Sequence, residues 1–290
     1  MSDRFPPTGR ILDINGTRVH AHQEGDGPDV ILLHGAGGNT RDFTFDLMSR
    51  LTDRFRVTAF DRPGLGHTDS LHPDGESPSE QATILEAAAA QLGLGPSVLV
   101  GHSFGGTVAL AWGLDHPARA AAIVSLAGAA MPWPGGLGPW YAIASSDFGS
   151  AFVIPFVSAF SPRILADRAI ERIFEPDPVP EGYSDHIGIE LSLRPDTLRA
   201  NTRQVNRLKP LIRAMAERYD ELAMPIEILH GTADEIVPTD VHSRPFAARV
   251  PSANLIELHD VGHMPHHARP DAAVAAIHRA AQRAGLRKTA

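Results

Sequence analysis

The stretch VLVGHSFGGTVALAW, residues 98–112, sets a lone serine between glycines where an apolar run changes from strand-like to helix-like. A serine at such a junction ordinarily serves as a helix N-cap, its hydroxyl accepting an orphan backbone N–H. The neighbours argue for more. Gly101-His102-Ser103-Phe104-Gly105 is G-x-S-x-G placed directly after the run Ser97-Val98-Leu99-Val100. A turn sharp enough to push one side chain out of the end of a strand strains its central residue and brings chain segments close, so the flanking positions cannot carry bulk. Gly106 extends the bare surface so that the new helix packs close to a sheet. Ser103 is therefore a candidate nucleophile, and the rest of the chain must supply a base, an orienting acid and an oxyanion hole.

Composition narrows the field. The 290 residues are long enough for a full core, with 43% hydrophobic and 21% charged residues, as in globular domains. The net charge is −8, and the one basic pair of note is Arg287-Lys288 near the end, so neither nucleic acid nor an anionic membrane is expected as a partner. There are no cysteines, which removes disulfides and thiol catalysis together. The opening MSDRFPPTGR has no apolar core of signal-peptide length, and no apolar run approaches the roughly 20 residues that span a bilayer. A cytoplasmic location without stable membrane association is expected; the oligomeric state is left open.

Along the chain, Ile11 to His22 reads as two strands around Asn15-Gly16, a hairpin dipeptide. Short, nearly continuous apolar runs follow at Val30 to His34, Val57 to Asp61, Val98 to Gly101, Ala122 to Leu126, Ile226 to His230 and Leu255 to Leu258. Such runs suit strands covered on both faces. Helical patterns lie between them at Arg41 to Leu51, Ser79 to Leu92, Phe104 to His116 and Pro270 to Ala284, so an α/β fold is expected, its sheet doubly wound and mostly parallel. The alternation breaks from 131 to 222. After the loop Met131-Pro132-Trp133-Pro134-Gly135-Gly136 come Trp140, Tyr141, Phe148, Phe152, Phe156 and Phe160, then helical stretches at Pro162 to Phe174 and Thr197 to Glu217. Three segments are expected: residues 1–130 and 223–290 as two parts of one core, with 131–222 as an inserted helical lid.

Fifteen histidines compete for the role of base, so position must choose. In a parallel sheet all strand carboxyl ends reach one edge, and ligands bind there. After the last strand comes His259-Asp260-Val261-Gly262-His263, where Gly262 is expected to let His263 turn inward. His263 is the predicted base. A weak metal site through His263 and His267 is the alternative, but no ligand set accompanies it, and neither metal nor cofactor is expected. After the preceding strand, Gly231-Thr232-Ala233-Asp234 with Pro238 presents Asp234 as the predicted acid, with Asp260 and Glu235 as fallbacks. Oxyanion donors are expected in the Phe104 N–H at the start of its helix and the Ala36 N–H of Gly35-Ala36-Gly37-Gly38. That glycine loop lacks the Lys-Ser/Thr ending of a P-loop.

The chain resembles the α/β-hydrolase superfamily over nearly its whole length except the lid. The resemblance rests on His34-Gly35-Ala36-Gly37-Gly38, Asp61-Arg62-Pro63-Gly64-Leu65-Gly66, Gly101 to Gly106, Gly231 to Asp234 with Val237-Pro238, and Gly262-His263. It implies an eight-stranded sheet and a triad of Ser103, Asp234 and His263 in the family's order, with Ala36 and Phe104 as oxyanion donors. Substrate contacts are expected from His34, Gly35, His102 and Val237 of the core and from Trp133, Trp140 and Phe148 of the lid. A serine at the elbow excludes the aspartate-nucleophile branches. Two relatives remain, carboxylesterases and hydrolases that cleave carbon–carbon bonds in ring-fission products, beside a non-catalytic receptor-like reading. Carbon–carbon cleavage would need fixed cations for a charged substrate, for which Arg163, Arg194, Arg199 and Arg203 are candidates. A small, mainly apolar ester is the predicted substrate.

Overall fold

The computed structural model describes residues 4–136, 139–146, 149–160 and 163–286. Eight strands form one sheet: β1 (Arg10–Ile14), β2 (Thr17–Glu24), β3 (Asp29–Leu33), β4 (Arg56–Phe60), β5 (Ser97–His102), β6 (Ala120–Leu126), β7 (Ile226–Gly231) and β8 (Ala253–Leu258). Their order is β1-β2-β4-β3-β5-β6-β7-β8. The pairs β1/β2 and β2/β4 are antiparallel, and every later pair is parallel. Asn15 and Gly16 both take positive φ, 52° and 87°, the conformation a two-residue hairpin turn demands.

Alternate residues of the central strands serve two separate cores. Ile31, Leu33 and Leu99 join the cluster on one face with Leu85, Val108 and Trp112, while Val30, Leu32, Val98 and Val100 join the other with Leu47, Ala276 and Ile277. Two covered faces explain the continuous apolar runs, because both parities of each strand need an apolar side chain. The edge strand β8 is the exception, with Leu255 and Ile256 only half-buried.

The α-helices are α1 (Arg41–Thr44), α2 (Pro78–Gln91), α3 (Phe104–Asp115), α4 (Pro139–Ala144), α5 (Ile154–Phe160), α6 (Arg163–Phe174), α7 (Tyr183–His186), α8 (Ile189–Ser192), α9 (Pro195–Ala216), α10 (Ser243–Arg249), α11 (Pro265–Ala268) and α12 (Pro270–Arg283). A capping box starts α2: Ser77 accepts the Glu80 N–H, and the Glu80 carboxylate accepts the Ser77 N–H. The helix expected from Arg41 to Leu51 is corrected to the single turn α1, followed by non-helical turns through Arg54. Phe43, Leu47, Met48 and Leu51 are all buried, so their spacing reflects a core contact that a chain of turns satisfies as well as a helix does. Between β6 and β7 the described residues hold helices and loops and no strand. No helix among the described residues is long and apolar enough to cross a membrane.

Candidate active site

The nucleophile elbow is built as its glycines require. Ser103 sits at φ 53°, ψ −119°, a conformation costly for a side chain that has a Cβ. A Cβ on Gly105 would lie 2.0 Å from the Leu33 carbonyl oxygen, so only glycine lets α3 start this close to β3. The Ser103 N–H donates to the Leu126 carbonyl at 3.0 Å, tying the strained residue to the neighbouring strand.

The loops after β7 and β8 meet beside it. His263 Nδ1 lies 2.7 Å from Asp234 Oδ2. The other carboxylate oxygen accepts the N–H groups of Ile236 and Val237, both at 2.9 Å. Burial alone would raise the Asp234 carboxyl, but hydrogen bonds from His230 and His263 outweigh it and hold the group below the usual carboxylate range. Neither fallback acid bonds the His263 ring among the described residues. Asp260 is exposed and pairs with His259, and Glu235 is exposed. Gly262 serves in another way than expected: its φ is not positive, and a Cβ there would meet the Glu175 carbonyl oxygen at 2.1 Å. Its bareness lets the chain after α6 close over the loop, where the Gly262 N–H donates to Asp177 at 2.8 Å.

Ser103 and His263 line a cavity of about 290 Å³ together with Gly35, Ala36, His102 and, from the segment between β6 and β7, Tyr141, Phe174 and Tyr183. No hydrogen bond joins Ser103 Oγ to His263 among the described residues, and such contacts commonly tighten only with substrate. Phe104 is the first residue of α3, so its N–H precedes the helical ladder, and Ala36 lies on the cavity wall. The glycine loop is pinned from both sides. The Gly37 N–H donates to Asn201 of α9 at 2.7 Å, and Arg62 donates to the His34 and Gly35 carbonyls, both at 2.8 Å, with its guanidinium 4.4 Å from the Phe104 ring centre.

Several expected substrate contacts need correction. His34 is fully buried behind the wall: its Nδ1–H donates to the Gly35 carbonyl at 2.9 Å and its Nε2 accepts the Arg62 N–H at 3.0 Å. Both ring nitrogens are committed to holding the loop. Val237 is buried in the core, and Trp133 packs near His242, so neither lines the cavity. Phe148 and the Trp140 side chain lie outside the described residues, as do Arg287 and Lys288. His102 does line the cavity, and its Nε2–H donates to the His263 carbonyl at 2.9 Å. His263 and His267 do not share a metal-like site. The cluster that forms joins His266 and His267 to Asp42.

Three features escaped the sequence reading: His230 on Asp234, the Arg62 brace, and Asp42 in the cavity wall. Asp42 lies in a segment whose only local signal is the apolar spacing of its neighbours. His230 occupies a strand position that reads as core.

A fold of this topology with a serine elbow at its carboxyl edge defines the α/β-hydrolase class, and the chain belongs to the alpha/beta hydrolase family, whose model matches residues 30–277. A 2-hydroxy-6-oxononadienedioate/2-hydroxy-6-oxononatrienedioate hydrolase of Comamonas testosteroni is 24% identical, with 88% of this chain and 90% of that protein covered. Among solved structures, a thermophilic esterase from Thermogutta terrifontis superposes with TM-score 0.72 at 22% identity, covering 94% and 97% of the two chains. The enol-lactonase from Burkholderia xenovorans LB400 gives TM-score 0.76 at 18% identity, covering 94% and 100%. At those identities the superpositions speak for the fold.

Proposed function

We propose that this chain is a serine hydrolase that cleaves small, mainly apolar carboxylic esters by two-step acyl transfer. One observation carries the choice of substrate: no lysine or arginine lines the Ser103 cavity among the described residues. Cleavage of a ring-fission carbon–carbon bond would call for a fixed cation against the substrate carboxylate and enolate. The four arginines suggested for that task are engaged elsewhere. Arg163 pairs with Asp185 and Asp167. Arg194, Arg199 and Arg203 line a separate polar groove beside Gly66 and His67. In the hollow that adjoins His263, Arg172 is outnumbered by Glu175 and Glu235.

In this scheme Ser103 Oγ attacks the ester carbonyl while His263 Nε2 takes its proton, with Asp234 holding the Nδ1–H and thus the productive tautomer. The Ala36 and Phe104 N–H groups receive the oxyanion, His263 protonates the departing alcohol, and water then releases the acyl group from Ser103. Residues 131–222 act as the lid, contributing Tyr141, Phe174 and Tyr183 to the apolar wall.

The carbon–carbon reading is kept as the rival because the Comamonas relative carries that name. A panel of p-nitrophenyl esters of increasing acyl length, run beside a ring-fission dienoate on one preparation, separates them. Faster turnover of the esters than of the dienoate, with an acyl group trapped on Ser103, is the expected result. A dienoate turned over orders of magnitude faster than any ester would overturn the assignment. Failure of a serine-directed fluorophosphonate to label folded protein would point to a receptor-like binder instead.

A further inference from the structure

Among the described residues, the wall of this apolar cavity contains one carboxylate, and the acyl-transfer scheme does not use it. Asp42 of α1 is 3% exposed and lines the cavity with Ser103. Its Oδ1 accepts the Tyr183 hydroxyl and the His267 Nε2–H, both at 2.8 Å, and its Oδ2 accepts from His266 Nε2 at 3.2 Å. Burial would push the carboxyl toward its neutral form, but the His266 and His267 contacts outweigh burial and hold it well below the usual range. It is therefore a charge. Three donors occupy three of the roughly four lone-pair positions a carboxylate offers. Beside it stand the rings of Phe174 and Tyr183, 5.0 Å apart between centres and inclined at 69°, and both line the same cavity.

A buried carboxylate against aromatic rings, in a cavity with no lysine or arginine among its described residues, is the arrangement that attracts an organic cation. We propose that the Ser103 cavity selects esters carrying an ammonium group, seated between the Asp42 carboxylate and the rings of Tyr183 and Phe174. This deepens and rests on the ester-hydrolase reading of the same site. A metal ion fits the cluster less well. The imidazole-to-carboxylate distances of 2.8 and 3.2 Å are those of hydrogen bonds. His266 Nδ1 is buried with no partner among the described residues. A metal-bound imidazole needs an acceptor for its second N–H, whereas a ring donating through Nε2 leaves Nδ1 as a bare acceptor.

Matched pairs test the proposal, since the cation's side of the ester is open. Acetylcholine against 3,3-dimethylbutyl acetate places the charge on the alcohol. The p-nitrophenyl esters of 4-trimethylammoniobutanoate and 5,5-dimethylhexanoate place it on the acyl group. In at least one pair the cationic member should show a kcat/KM about tenfold or more above its neutral isostere. Asp42→Asn should bring that ratio close to one. Equal or lower kcat/KM for the cation in both pairs overturns the proposal, as does a preference that survives in Asp42→Asn. If that variant does not fold, the wild-type ratios decide. If no ester is turned over, the ester reading fails on its own. The subsite is then read by tetramethylammonium, which should slow labelling of Ser103 by a neutral alkyl fluorophosphonate, and absence of protection refutes it. Stoichiometric zinc retained through gel filtration and removed by Asp42→Asn would assign the cluster to a metal and overturn the ammonium site.

Discussion

His230 Nε2 lies 3.0 Å from Asp234 Oδ2, the same oxygen that faces His263 Nδ1 at 2.7 Å. Two imidazoles thus share one carboxylate oxygen, while two backbone N–H groups fill the other. His230 is itself fixed, its Nε2 also within 2.7 Å of the Val237 carbonyl and its Nδ1 bonded to the Ser243 hydroxyl. The second imidazole holds Asp234 in place and draws part of its negative charge away from His263.

Replacing His230 with leucine should therefore act on chemistry as well as on stability. Asp234 loses one of its two imidazole donors and with it part of the hold on the oxygen that faces His263. Freed orientation of the carboxylate should lower kcat about tenfold, and the unpaired Ser243 and Val237 groups should cost about 2 kcal/mol in urea unfolding. A fall in stability with kcat unchanged would leave His230 a purely structural residue.

On the proposed mechanism, in which the hydroxyl acts in the bond-making step, Ser103→Ala should lose about three or more orders of magnitude in turnover with little change in substrate affinity. Alanine keeps the strained backbone at φ 53°, and glycine does not. Strain of about 1–3 kcal/mol at such a residue offsets the usual entropic cost of glycine. Ser103→Gly should consequently match or exceed Ser103→Ala in thermal midpoint while being equally inactive.

Gly105→Ala should be among the severest single-methyl changes in the molecule's core. Its Cβ would lie 2.0 Å from the Leu33 oxygen and 2.6 Å from that of His34, both main-chain atoms that cannot swing aside. A loss beyond about 4 kcal/mol in denaturant unfolding, or failure to accumulate folded protein, is expected. Stability within about 1 kcal/mol of wild type would mean the start of α3 has more room than the elbow geometry allows.

The contrast between Gly105 and Asp42 shows what kind of information a sequence carries. The elbow, the parallel strands and the loop positions of Asp234 and His263 were legible because each expresses a local rule: a bare turn, a doubly covered strand, a strand's carboxyl end. Asp42, Arg62 and His230 matter through partners 19 to 225 positions away or through one shared atom, and no local periodicity marks them. The short α1 follows the same logic. Phe43, Leu47 and Met48 had to be buried, and helical spacing is only one way to bury them. His34 was misread because a histidine at a strand's carboxyl end looks like a ligand contact, while its two committed nitrogens make it part of the scaffold.

Buried imidazoles make the fold sensitive to acid. Burial, aided by Arg62, lowers His34 to about 4, and burial, aided by His230, lowers His242 to about 4. The unfolded chain protonates both near 6.5, so between pH 6.5 and 4 it binds more protons than the native state, and stability must fall as the pH is lowered through that window. The contribution is fully present above 6.5 and gone by about 4, with a ceiling of about 3 kcal/mol for each histidine. The carboxylates act lower down. Asp42, Asp61 and Asp234 are held below the usual range, so their stabilisation is present above about 3.8 and is lost only beneath it. Urea midpoints measured at constant ionic strength should thus drop steeply from pH 6.5 to 4.5, above the range in which those three buried carboxylates titrate. His242→Gln, which keeps an acceptor for the Met131 N–H that His242 Nδ1 now receives at 3.2 Å, should flatten that slope. A midpoint constant down to pH 4.5 would mean that the two imidazoles accept protons as readily in the native state as in the unfolded chain.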